Sequence, residues 1–128
     1  MAAQSFTVTN ETDAPMAIGA FRAIKEAALG KRYQLSLVIA APARMKELNS
    51  TYRGLKGATD ILSFPIAGDQ GEIYLCPAEA EKEAPKFGRD PENFLSFLFI
   101  HGCVHLKGYD HGATMERIEA GIRNKFGI

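Results

Sequence analysis

Tryptophan is absent from this 128-residue chain, cysteine occurs only twice, and neither sign of charge is in excess. Cys76 and Cys103 stand in unrelated contexts, which does not make a disulfide framework and fits a reducing, cytoplasmic setting. No apolar run approaches the roughly 18 residues that span a bilayer, and Met1 to Phe6 lacks the charged and apolar regions of a secretion signal. The chain is therefore expected to be cytoplasmic, without a membrane partner. Fifteen Lys/Arg balance fifteen Asp/Glu, so net charge alone points to no polyanionic ligand. The distribution is uneven: residues 22–56 carry eight basic side chains against Glu26 and Glu47, while residues 57–128 carry seven against eleven acidic ones. Such asymmetry describes a phosphate-binding face and an ordinary solvated surface equally well.

What is present is an ordinary globular composition, 46% apolar and 23% charged, enough to exclude a disordered chain. The length corresponds to one domain over residues 1–128. Phe6 to Thr9 alternates as a short strand. Ala14 to Leu29 has apolar residues at helical spacing and stops at Gly30. Tyr33 to Ala40 alternates again, and Ala43 to Tyr52 reads as a short helix before Gly54. Two extended segments, Asp60 to Phe64 and Glu72 to Leu75, flank a turn at residues 67–71, with Pro65 and Pro77 expected to close them. A helix follows from Pro77 to about Lys86. Asp90-Pro91 then caps an apolar helix that runs into the histidine segment, and a last helix covers about Thr114 to Phe126. The order β-α-β-α-β-β-α-α-α predicts an α+β fold: a small mixed four-stranded sheet covered by helices, with the histidine helix near the C-terminus.

All three histidines fall within eleven residues, His101-Gly102-Cys103-Val104-His105-Leu106-Lys107-Gly108-Tyr109-Asp110-His111. Residues four apart share a helix face, so His101 and His105 converge. Gly108 stands where a helix ends in a left-handed residue, which lets His111 return to the pair. Three imidazoles with a fourth position open is how catalytic zinc is held. Asp110 is a natural acceptor for an imidazole N–H, or else a local turn cap. Cys103 lies two residues from both histidines and points away from their face, into the core. The spacing matches the zinc-protease pattern H-E-x-x-H-x-x-G-x-x-H except that Gly102 replaces the glutamate base, which removes the main reason to expect peptide hydrolysis. A glycine there also leaves room for substrate beside the metal.

These residues resemble the signature of the YbeY family, bacterial metal-dependent endoribonucleases of ribosomal RNA maturation. Thr59-Asp60-Ile61-Leu62-Ser63-Phe64-Pro65 is similar to that family's T-D-V-L-S-F-P stretch, with Asn49 and Arg53 ahead of it, and Gly71-Glu72-Ile73 to its G-D-I strand. Val104 and Glu72 replace the usual leucine and aspartate. The match runs in order from about Arg44 to Glu119. The resemblance implies an α+β fold, one Zn²⁺ per chain on His101, His105 and His111, and a functional Arg53 in the cleft. It also implies a single-strand-specific endoribonuclease acting on ribosomal RNA, including 16S 3′-end processing and ribosome quality control, with the ribosome or its proteins as partners. Arginine suits that role because its fork pairs with phosphate and stabilises developing charge. Ser63 and Phe64 are expected to line the cleft, the ring stacking on a base. Two rivals stand beside this reading: a metzincin-like metallohydrolase, and a non-catalytic ribosome assembly factor with structural zinc that docks through residues 22–56.

Overall fold

The computed structural model of the protein describes residues 5–16 and 19–128. Four strands, β1 (Phe6–Asn10), β2 (Gln34–Ile39), β3 (Ile61–Ala67) and β4 (Gln70–Leu75), form one sheet in the order β1-β2-β4-β3. β1, β2 and β4 are parallel, and β3 returns antiparallel to β4 through the tight turn at residues 68–69. The helices are α1 (Phe21–Leu29), α2 (Pro42–Arg53), α3 (Pro77–Glu83), α4 (Pro91–Leu106) and α5 (Ala113–Phe126), with a 3₁₀ turn at Ala84–Phe87. The expected α+β architecture is the one observed.

Alternation along the strands divides the core between the two faces of the sheet. Leu35, Leu37, Ile39, Ile73 and Leu75 point to one face, where they join Ile24 of α1 and Phe99, Ile100 and Val104 of α4. Val38, Leu62 and Tyr74 point to the other, against Met45 and Leu48 of α2. Each fully buried side chain of this size contributes about 1.5–3 kcal/mol, so the larger cluster dominates stability. α4 runs through it, and its start is fixed locally: Pro91 takes the first turn and the Asp90 carboxylate accepts the Asn93 N–H at 2.8 Å.

Several boundaries differ from the sequence reading, among them β4, which starts at Gln70, and α3, which ends at Glu83; two others have a clear local cause. The first helix begins at Phe21 rather than Ala14; Met16 precedes it, residues 17–18 lie outside the described residues, and residues 19–20 form a turn. The Asn10 side chain accepts the Thr12 N–H at 2.9 Å and donates to the Ala14 carbonyl at 2.8 Å, holding this stretch in a loop instead. The third strand does not stop at Phe64. It continues through Pro65 to Ala67 with a register shift between those two residues, tolerated because β3 is an edge strand and the missing N–H breaks no inner ladder.

The basic stretch at residues 22–56 is not one binding face. Lys25 is fully buried, its Nζ donating to the Lys31 carbonyl at 3.1 Å, and burial pushes its pKa down. Arg44 pairs with Glu11 and Glu47, each at 3.7 Å. Among the described residues no helix is long and apolar enough to cross a membrane.

Candidate metal centre and its cleft

The end of α4 is where the core becomes chemistry. Its buried side carries Gly102, Cys103 and Val104, while His101 and His105 stand at the rim, half-buried and exposed. The helix stops at Leu106, the Gly108 N–H reaches the His105 carbonyl at 3.0 Å, and Gly108 takes φ +110°, a conformation that side chains avoid. That turn brings His111 back. The ring centroids of the three histidines are 5.3 Å (His101–His111), 5.9 Å (His105–His111) and 6.2 Å (His101–His105) apart. Three imidazoles around one tetrahedral zinc, with Zn–N of about 2.0–2.1 Å, place centroids roughly 5 Å apart. The rings here are up to about one ångström wider, a set drawn together but not closed.

Hydrogen bonds fix which nitrogen is free. His101 Nδ1 donates to Glu119 Oε1 at 2.6 Å, and His105 Nδ1 donates to the Tyr109 carbonyl at 2.9 Å. With Nδ1 of both rings committed to these partners, Nε2 is the nitrogen left free of protein hydrogen bonds among the described residues. This is the arrangement that a metal requires, held by outer partners that orient the ring. Three imidazoles with a position left open are a donor set that fits zinc.

Glu119 is the residue that sequence reasoning missed. It lies on α5, eighteen residues from His101, and is buried beside it. The candidate chosen from proximity, Asp110, is exposed and makes no hydrogen bond among the described residues; it does not serve as the imidazole acceptor. Helical spacing within α5 offered the only clue, since Met115 and Glu119 share a face and Met115 is in the core. Glu119→Gln is expected to keep the fold and lower zinc affinity about 10–100-fold, the usual effect of losing an outer carboxylate. Competition with a chromophoric chelator measures this directly, and an unchanged affinity would remove Glu119 from the site.

The histidines line a cavity of about 470 Å³ at the β3 edge of the sheet, together with Tyr52, Arg53, Thr59, Ser63 and Phe64. Arg53 is the last residue of α2, and Gly54 in the left-handed conformation (φ +63°) ends the helix there. The structure thus brings Arg53 and all three histidines to one cleft. Among the described residues Arg53, unlike Arg44, has no ion-pair partner. Ser63 and Phe64 line the cleft as expected. The Phe64 ring is also engaged in packing, 5.3 Å from Tyr52 and 5.8 Å edge-on to Tyr74.

Gly102 does not open space for substrate. It is buried, and a Cβ there would meet Ile61 Cδ1 at 2.8 Å and Ser63 Oγ at 2.9 Å. Glycine lets α4 lie close on β3 and β4. Cys103 is fully buried as expected, and desolvation holds its thiol far above the ordinary range. Asp60, at the foot of β3, has its carboxyl pKa raised by burial, with backbone N–H groups pulling the other way.

Fold and site together define an α+β domain built around a three-histidine, metal-compatible cleft. A family model described as endoribonuclease YbeY matches residues 3–126, and the chain belongs to that family. Among curated relatives, endoribonuclease YbeY of Sulfurimonas denitrificans is 34% identical over 102 residues, covering 74% of this chain and 73% of its own. That of Methylococcus capsulatus is 37% identical over 111 residues, covering 80% and 72%. The Thermotoga maritima protein of the same name is 39% identical over 79 residues, and there the match spans only 53% of the relative. A solution structure from Thermotoga maritima superposes with a TM-score of 0.69 at 27% identity, covering 95% of this chain and 89% of that one.

Proposed function

We propose that this chain is a zinc-dependent endoribonuclease that cuts single-stranded RNA in ribosomal RNA maturation, 16S 3′-end processing included. It works in the cytoplasm with the ribosome or its proteins as partners. His101, His105 and His111 would hold the metal. The observation that carries the reading is one cleft shared by three histidines, two of them held through Nδ1, and an arginine without a carboxylate partner among the described residues. Membership of a family whose curated members are named endoribonucleases supplies the substrate class.

When bound, zinc supplies a Lewis acid that lowers the pKa of water towards ~7 and polarises a phosphoryl oxygen. The protein's own groups do the rest. Arg53 takes the scissile phosphate in a bidentate grip and offsets the charge that develops as the phosphodiester is attacked. Glu119 and the Tyr109 carbonyl orient two of the three rings through Nδ1, so those two are turned towards the shared centre before a metal arrives. A protease reading lacks its base, because position 102 faces the sheet.

Incubation of labelled single-stranded RNA with the zinc-loaded protein tests this. Cleavage is expected, with loss on chelation and recovery on zinc. Arg53→Ala should lower kcat/KM about 10²-fold, as for removal of one charge-stabilising donor, at unchanged zinc content. Cleavage that survives chelation would overturn the metal's role, and full activity in Arg53→Ala would overturn that of the arginine.

A further inference from the structure

The histidine centre lies between two cavities of opposite character. On one side is the polar cleft with Arg53. On the other is a cavity of about 400 Å³ that shares Ile61, His101 and His111 with it and is walled by Phe87, Phe94 and Phe97, with Asp60 and Glu116 at its edge. We propose that this second cavity is a nucleobase subsite, taking the base of a nucleotide that adjoins the scissile phosphate. The inference rests on the endoribonuclease reading and adds to it a determinant of base preference.

A nucleotide has two chemically distinct ends, and the two cavities divide them. The polar cleft offers a guanidinium to an anion. The second cavity has no arginine or lysine in its lining: Glu116 there pairs with Arg123 at 3.1 Å, Glu119 holds His101, and the exposed ring of Phe87 can accept a planar neutral base. Its volume falls within the range of about 300–1,000 Å³ typical of small-ligand sites.

The aromatic wall is preorganised. Phe94 and Phe97 stack at 5.6 Å with planes 16° apart, and the Arg89 guanidinium covers Phe97 at 4.4 Å. Phe87 stacks on Phe94 at 5.0 Å yet remains 54% exposed, a ring with one face packed and the other open. It sits on the 3₁₀ turn before α4, ended by Gly88 in the left-handed conformation, so a rigid short turn presents it. With Glu116 held by Arg123, Asp60 is the lining carboxylate left to accept an N–H from the edge of a base.

The experiment scans one single-stranded RNA with an abasic residue at each position in turn, using the zinc-loaded protein. At one position next to the cut, loss of the base should lower kcat/KM about tenfold, the scale of one stacked base. Phe87→Ala should lose a similar factor on the intact RNA and nothing further on that abasic RNA, and Phe87→Trp should restore the loss. Because Phe87 packs on Phe94 and Phe97, a thermal melt of the alanine variant is run beside the cleavage assay, and Phe87→Trp, which keeps a stacked ring, separates loss of packing from loss of the base contact. Phe87→Ala that cleaves intact RNA like the wild type, or loses a further tenfold on the abasic one, overturns the subsite while leaving the endoribonuclease reading intact. Absence of any cleavage by the wild type at full zinc occupancy overturns both.

Discussion

His105→Ala should abolish zinc-dependent RNA cleavage, a fall on the order of 10³-fold or more in kcat/KM, while the protein stays folded. The imidazole is exposed and its one hydrogen bond among the described residues is to the Tyr109 carbonyl, which water can satisfy in its place. Removing a ligand should also cost more zinc affinity than the 10–100-fold of an outer partner. Three measurements made together decide it: chelator competition, cleavage and a thermal melt. Wild-type affinity with wild-type cleavage would exclude His105 from the centre. The neighbouring His101 is a poorer probe. Its loss would leave the buried Glu119 carboxylate without a partner, so instability would be confounded with loss of metal.

Gly102→Glu, the substitution that completes the zinc-protease pattern, should unfold the protein instead of creating a protease. The new side chain would start 2.8–3.1 Å from Ile61, Ser63 and Ile73, in a closed space between helix and sheet. Overpacking there costs about 1–3 kcal/mol even for alanine. A buried carboxylate without a partner adds several kcal/mol more, so the sum approaches the whole stability of a domain this size, about 5–15 kcal/mol. Urea denaturation of Gly102→Ala and Gly102→Glu should show the graded loss. A folded Gly102→Glu protein with peptidase activity would contradict the placement of this residue against the sheet.

Local chemistry was legible in the sequence, and contacts across the chain were not. The i, i+4 histidines, the glycine stop at 108 and the Asp90-Pro91 cap each act within a few residues, and each holds in the structure. Glu119 could not be read this way, since its role depends on α5 folding back onto α4. The same limit explains Asp110, chosen because it is adjacent, and Gly102, whose neighbours are on β3 and β4. Lys25 reads as part of a solvated basic run, yet the fold buries it against the Lys31 carbonyl. Pro65 reads as a strand end because strand position within the sheet, inner or edge, is invisible before the topology is known.

Pro65 has a consequence for self-association. The cleft opens along β3, and an exposed strand edge invites pairing with the backbone of another molecule. Pro65 offers no N–H to such a visitor, and the register shift towards Ala67 turns the strand away from a regular ladder. The rim of the cleft is thereby protected from being sealed by a second copy of the chain, and restoring a regular, proline-free edge there would trade that protection for aggregation.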